Sequence, residues 1–197
     1  MDRLHAALPT VAKKYIWNLK YGLLGYPEFV APGDVVCYLS ARLLKISTVL
    51  DLGCGRGSLL RALREKGWSG NYCGVDISKR SIDDARKIAD QRSAWVVSDF
   101  ESFHSPFYWD VIAMIESIYY VRLVELPAFL KRMIGMLHPE GTLVFRLHDR
   151  EKHREHLKAV LRLYPHAESV DQSLFCISGS KRHDDQRVVT SANPPLS

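Results

Sequence analysis

Three glycines at alternate positions, Gly53, Gly55 and Gly57, follow the apolar run Val49-Leu50-Asp51-Leu52 and precede a helical pattern that begins at Ser58. A short apolar run ahead of a glycine cluster reads as a strand entering a tight turn, and Ser58-Leu59-Leu60 reads as the helix leaving it. Glycine tolerates positive φ and removes the Cβ that would hold a ligand off the backbone. Such a turn delivers the ligand to a helix N-terminus, where unpaired N–H groups point outward. The stretch predicts an α/β fold whose first turn binds something small and polar, the plainer alternative being a turn that only joins strand to helix.

Spacing decides between ligands. The dinucleotide fingerprint G-x-G-x-x-G needs its third glycine where this chain has Ser58, so the nicotinamide pattern fails by one position. Asp51-Leu-Gly-Cys-Gly-Arg-Gly57 instead resembles the first motif of the class I S-adenosylmethionine-dependent methyltransferases. The resemblance implies that Gly53, Cys54, Gly55 and Gly57 wrap the methionine part of that cofactor while Asp51 helps to hold its amino group.

Further acids fall where the family uses them. Asp76 ends the second expected strand about 20 residues beyond the turn, where a carboxylate can accept two hydrogen bonds from a ribose diol. It can also serve as a capping acid, beside Ser78 as a plausible N-cap. Ile77 is then expected against the adenine face. Asp99 and Phe100 follow the third strand, where the resemblance implies an acid on the adenine amino group. Glu101 is the alternative reader, and Asp99 can also simply start a turn.

Alternation from position 47 onward argues a parallel sheet with helices on its faces. Strands are expected at 48–52, 71–76, 94–98, 109–115, 142–147, 167–171 and 173–179, the last two forming a hairpin. Helices are expected at 58–66, 80–90, 123–137 and 152–163, and His138-Pro139-Glu140-Gly141 reads as a turn. The resemblance implies a Rossmann-like, mostly parallel seven-stranded sheet of order 3-2-1-4-5-7-6 with its last strand antiparallel. Residues 1–180 are expected to form one domain, with N-terminal helices over 1–46, a core over 47–180 and a frayed polar tail over 181–197.

The N-terminal helices, expected over 11–21 and 35–44, lie outside the αβ repeat. In enzymes of the resembled family such helices cover the cofactor and wall the substrate pocket, so Tyr15, Trp17 and Tyr21 are candidate substrate contacts. Ordinary aromatic packing is the alternative.

The tip of the fourth strand, Glu116-Ser-Ile-Tyr-Tyr120, emerges where ligands gather in open α/β sheets. Ile115 and Glu116 are expected beside the cofactor, and Tyr119 and Tyr120 around the acceptor. Glu116 and His148, at the ends of the fourth and fifth strands, are the candidate catalytic groups. Glu116 can bind an ammonium or act as base, and His148 can take a proton or merely start a helix. The Asn/Asp-Pro-Pro-aromatic sequence typical of enzymes that methylate base amines does not occur here.

Trp95-Val-Val-Ser-Asp99, Glu116-Ser-Ile-Tyr-Tyr120 and Met136-Leu-His-Pro-Glu-Gly141 also resemble the nodulation protein S branch, small enzymes that N-methylate an amino sugar on a chito-oligosaccharide. The likeness covers about half the chain and departs at the amino-terminal helices.

Other classes recede. The formal charge of +5 is spread over Lys13/Lys14/Lys20, Arg61/Arg64/Lys66, Lys79/Arg80 and Lys181/Arg182 rather than gathered in a basic block, which argues solvated helix faces over nucleic acid. No apolar window approaches the ~18 residues of a membrane span, and residues 1–5 carry no apolar signal core. Cys37, Cys54, Cys73 and Cys176 form no C-x-x-C pair, so neither disulfide nor zinc is expected. His153 and His156 at i,i+3, with His148 nearby, lie among Lys152, Arg154 and Lys158, whose charges oppose a metal.

The expectation is a cytoplasmic enzyme that moves the methyl of S-adenosylmethionine to a nitrogen or oxygen of a small-molecule acceptor, leaving S-adenosylhomocysteine. An RNA or protein methyltransferase, and a cofactor-binding partner subunit without catalysis, stand as alternatives.

Overall fold

The computed structural model describes residues 8–22 and 30–179. The expectations for the stretches 1–7, 23–29 and 180–197, including the frayed tail, lie outside the described residues.

Seven strands form one sheet in the order β3-β2-β1-β4-β5-β7-β6. They are β1 (Thr48–Leu52), β2 (Asn71–Asp76), β3 (Ser93–Val97), β4 (Trp109–Ile115), β5 (Leu137–Arg146), β6 (Glu168–Ser169) and β7 (Leu174–Ser178). The first five pair in parallel, and β7 runs antiparallel between β5 and β6. The helices are α1 (Thr10–Gly22), α2 (Gly33–Ser40), α3 (Ser58–Glu65), α4 (Lys79–Ala85), α5 (Leu126–Gly135) and α6 (Arg154–Leu163).

Strand periodicity sorts the side chains into two cores. Leu50, Leu52, Ile112 and Met114 meet α5 and α6 through Phe129, Leu130, Met133, Leu157 and Val160. Val49, Val111, Ala113 and Val144 face the other way onto α2 and α3 through Val35, Leu39, Leu59, Leu60 and Leu63. Both faces are thus covered, which is why the central strands are apolar at nearly every position. At their amino ends Asp110 fastens β1 to β4, its Oδ2 accepting from the Ser47 N–H (2.8 Å), the Thr48 N–H (3.0 Å) and the Thr48 hydroxyl (3.2 Å).

The helices expected over 35–44 and 80–90 end early, at Ser40 and Ala85, each followed by a 3-10 turn, and three further departures bear on the sheet and its covering helix. His138-Pro139-Glu140-Gly141 is not a free turn but a swelling inside β5: the register jumps from Trp109↔Leu137 to Val111↔Thr142, so four residues oppose one. Gly141 is needed there, since a Cβ would stand 2.6 Å from the Trp109 carbonyl oxygen. The helix expected from 123 begins at Leu126, with Pro127 in its first turn. The expected second strand of the hairpin pair holds, but its partner shrinks to Glu168–Ser169. Among the described residues no helix is long and apolar enough to cross a membrane.

Candidate functional site

The carboxyl ends of β1, β2 and β4, where the chain order reverses across the sheet, border a cavity of about 420 Å³. The glycine turn forms its floor. Gly53, Gly55 and Gly57 all adopt positive φ, at 84°, 55° and 80°. A Cβ on Gly53 would stand 2.7 Å from the Ser117 Cβ, so β4 and the turn approach as closely as they do only because that atom is missing. The N–H groups of Gly53 and Cys54 donate to the Val75 carbonyl (2.8 and 3.1 Å), and that of Gly55 donates to Asp76 Oδ2 (3.0 Å). These donors are spent inside the protein rather than pointing outward, and it is Ser58 and Leu59, the first residues of α3, that line the cavity. Gly57 is not among the lining residues. It starts α3 in a left-handed conformation, and a Cβ there would lie 2.5 Å from Trp95 and 3.0 Å from Ile88, so its task is close packing beneath the turn.

Two buried carboxylates face the cavity. Asp51, 3% exposed, accepts from the Tyr72 hydroxyl at 2.6 Å. Burial pushes its carboxyl up to about 7, with Asp76 adding to the rise and the Tyr72 hydrogen bond opposing it. Asp76, 7% exposed, accepts from the Gly55 N–H through Oδ2 and from the Ser78 N–H (2.8 Å) through Oδ1. Burial lifts it to about 6 against those two donors. Ser78, not Asp76, caps α4, its hydroxyl oxygen accepting from the Ser81 N–H at 3.2 Å. Among the described residues no cation pairs with either carboxylate, and each oxygen keeps a further lone pair. A ligand bearing an ammonium and a diol suits these two acceptors: it would neutralise Asp51 and donate to Asp76.

Ile77, Cys54 and Ile115 line the same cavity, and burial pushes the Cys54 thiol up, so that it behaves as a small apolar group. Asp99 lines it as well, with Oδ1 accepting from the Glu101 N–H at 2.9 Å, and Phe100 sits edge-on to Phe129 behind it. Glu101 points elsewhere. Its carboxylate takes Lys13 Nζ at 3.0 Å and the Arg122 N–H at 3.3 Å, and it is not a lining residue.

Glu116 follows β4 with φ of 53°, the sole positive φ at a non-glycine among the described residues. Its Oε1 accepts from Arg146 Nη1 at 2.6 Å, and the His148 N–H donates to both oxygens at 2.9 and 3.1 Å. His148 is exposed and borders the cavity, as do Glu116, Tyr119 and Tyr120. Tyr119 stacks on His153 with centroids 3.8 Å apart, and the buried His156 ring meets the Val121 carbonyl at 2.9 Å. Those two histidines thus brace the Tyr119 wall. No three metal-ligating side chains converge among the described residues.

Helix α1 closes the cavity. Lys13, Trp17 and Tyr21, four residues apart, form one stripe facing inward. Tyr15 does not join them: two positions off that stripe, it is 71% exposed and lines nothing, which removes it from the candidate acceptor contacts. Trp17 meets Tyr120 edge-on at 5.4 Å, Arg56 donates to the Tyr21 carbonyl (3.2 Å), and Asn18 Oδ1 accepts from the Ser78 hydroxyl (2.9 Å) and the Arg80 N–H (3.2 Å).

Lys13, Arg56, Ser117 and Arg146 line the cavity without having been singled out from the sequence. Two carried a signal: Lys13 is one helical turn before Trp17, and Arg146 is the charge in the apolar run Leu143-Val-Phe-Arg-Leu147. Ser117 carried none, because its position under Gly53 is a tertiary fact.

The family described as "Methyltransferase domain" matches residues 27–174. Nodulation protein S of Bradyrhizobium diazoefficiens is 27% identical over 149 residues, 70% of this chain and 69% of that protein. Nodulation protein S of Rhizobium tropici is 29% identical over 107 residues, and the match spans 51% of this chain and 42% of that protein. Among solved structures, the N-methyltransferase NodS of Bradyrhizobium japonicum WM9 in complex with S-adenosyl-L-homocysteine shares the fold with a TM-score of 0.55 at 20% identity, over 71% of this chain and 84% of that one. With most of the chain matched by the family and the strand order in place, the chain belongs to the methyltransferase-domain family and is a class I methyltransferase whose donor is S-adenosylmethionine.

Proposed function

We propose that the enzyme methylates a nitrogen or oxygen of a small molecule, nitrogen being the better fit. The observation that supports this is the single cavity in which the glycine turn and its acids meet Glu116, Tyr119, Tyr120 and His148 under α1. Its volume of about 420 Å³ lies within the about 300–1,000 Å³ of small-molecule sites. In this reading Asp51 holds the ammonium of the donor, Asp76 its ribose, and Asp99, Phe100 and Ile77 its adenine. S-adenosylmethionine supplies an electrophilic methyl on a sulfonium, displaced in line by the acceptor's lone pair.

An alcohol must lose a proton as it reacts, whereas an amine need only arrive neutral and shed a proton afterwards. Glu116 is poorly placed as a base, since Arg146 and the His148 N–H already occupy its oxygens. It serves better as a fixed anion beside a nitrogen that gains positive charge. His148 remains a proton acceptor at the exposed rim. Cys37, Cys54, Cys73 and Cys176 are thiols rather than disulfides, as a reducing compartment keeps them, which supports a cytoplasmic setting.

Calorimetry with S-adenosylmethionine and S-adenosylhomocysteine, then an assay for S-adenosylhomocysteine release across amines, phenols and amino sugars, tests this. Turnover of an amine supports the nitrogen reading, turnover confined to phenols replaces nitrogen by oxygen, and failure across the panel removes the small-molecule reading. Salt-dependent retention on RNA would move the acceptor to a macromolecule.

A further inference from the structure

Four separate parts of the chain meet behind the acceptor end of the cavity. Glu116 follows β4, Arg146 ends β5, Asp34 lies in the first turn of α2, and Ser173 precedes β7. Arg146 bridges two acids, with Nη1 2.6 Å from Glu116 Oε1 and Nε 2.7 Å from Asp34 Oδ2. The Ser173 hydroxyl donates to the same Asp34 oxygen at 3.0 Å, and the Val35 N–H to the other at 2.8 Å. The three charged side chains are 14–18% exposed, so solvent screens the chain of contacts only in part. Asp34 itself does not line the cavity.

Two features mark this as more than a structural ion pair. Glu116 is held at a φ that L-residues avoid, a strain that persists only where surroundings over-determine it. The bridge also carries one cation between two anions, leaving a net charge of −1 whose inner member borders the cavity. Glu116 immediately precedes Ser117, which packs against Gly53, while its own carboxylate takes the His148 N–H. Glu116 thus adjoins the residue packed on the glycine turn, and its carboxylate, bordering the cavity, holds the backbone of His148 at the rim.

We propose that Arg146 and Asp34 are positioning residues: Asp34 orients the Arg146 guanidinium from outside the cavity, and Arg146 fixes Glu116 where its charge distinguishes a sulfonium from a neutral thioether. This rests on the donor-binding reading above. S-adenosylmethionine and S-adenosylhomocysteine share their adenosine, ammonium and carboxylate and differ in the methyl and the charge on sulfur. The ratio of their affinities therefore reads that one charge and needs no knowledge of the acceptor.

The test is calorimetry of both compounds with the full chain, as wild type, Asp34→Asn, Arg146→Gln, Arg146→Lys and the Asp34→Asn/Arg146→Gln double variant. Asp34→Asn keeps the shape and the acceptor for the Val35 N–H, and replaces the oxygen that takes Arg146 and Ser173 by an amide NH2. It is expected to weaken S-adenosylmethionine by about threefold to tenfold, the scale of a partly screened charge contact, while S-adenosylhomocysteine changes less than twofold. Arg146→Gln is expected to give a similar loss, Arg146→Lys a partial rescue, and the double variant no loss beyond Arg146→Gln alone. A general loosening of the fold would lower both affinities together and leave their ratio unchanged, which overturns the proposal. So does an Asp34→Asn effect of the same size with and without Arg146, since Asp34 would then act directly through its field. Wild-type protein that binds neither compound refutes the donor-binding reading itself, an outcome separate from an insensitive ratio.

Discussion

Replacing Asp51 by asparagine should stabilise the ligand-free protein while disabling donor binding. Asp51 is buried beside Asp76 with the Tyr72 hydroxyl as its hydrogen-bond donor, and its carboxyl is raised from 3.8 to about 7. The sign follows from linkage: between those values the folded state holds a proton that the unfolded state has lost, so stability falls as pH rises through this window. At pH 7.5 the ceiling on the penalty is about 4 kcal/mol, at about 1.4 kcal/mol per tenfold. Asparagine carries no charge and still accepts from Tyr72, but through a neutral and weaker hydrogen bond, so a net gain of about 2 kcal/mol is expected. For a chain of this size that raises Tm by about 4–8 °C. The gain should shrink to less than half at pH 5 and to a small remainder at pH 4, vanishing only below about pH 3, where both states are protonated. Scanning calorimetry from pH 4 to 8 on both proteins checks this, with titration of S-adenosylmethionine at pH 7.5 expected to show at least about thirtyfold weaker binding where an ammonium loses its charge partner. A variant that melts lower than wild type at pH 7.5, or whose gain does not depend on pH, refutes the reasoning.

Gly53→Ala and Gly57→Ala should separate two uses of the same backbone conformation. Both add a Cβ at positive φ and within 2.7 Å of a neighbour, so each should lower stability by about 1–3 kcal/mol in a denaturant melt, but only Gly53→Ala alters a cavity-lining residue and should weaken the donor beyond what its stability loss explains. Asp110→Ala leaves the Ser47 and Thr48 donors unpaired at the opposite strand ends. It should cost about 2–3 kcal/mol in urea unfolding with the donor Kd unchanged, and a changed Kd would show that the two ends are coupled. Trp17→Ala removes the ring that meets Tyr120 and should raise the KM of the acceptor at least about tenfold, with stability within about 1 kcal/mol of wild type by thermal melt.

The sheet was legible because its signals are local. Apolar runs at 48–52, 71–76 and 109–115 coincide with the observed β1, β2 and β4, since strands buried on both faces need little but continuous hydrophobicity and punctuation. Asp51, Asp76, Asp99 and Glu116 were legible for a related reason: they sit at strand ends, and a parallel sheet brings such ends to one side. What escaped depends on distance in sequence. Arg146 reaches Asp34 across 112 residues, and no pattern in either neighbourhood announces the other. The turn residues of 138–141 misled because composition reports a bend but not whether pairing resumes beyond it, and here β5 continues to Arg146. Tyr15 misled because an aromatic cluster does not say which face of its helix looks inward, while the spacing of Lys13, Trp17 and Tyr21 does.

Among the described residues, helix α1 contributes no side chain to either of the two apolar clusters that hold the sheet together. It is fastened instead by Lys13 on Glu101, Asn18 on Ser78 and Trp17 on Tyr120, contacts that all run along one edge of the cavity. In the proposed reading, the packing of the interior and this wall of the acceptor site therefore draw on different parts of the chain. Substitutions at positions 13, 17 and 21 can accumulate without repacking the interior. Under that reading, a descendant could reshape the acceptor wall at position 17, while position 21, beside the glycine turn, stays tied to the donor half.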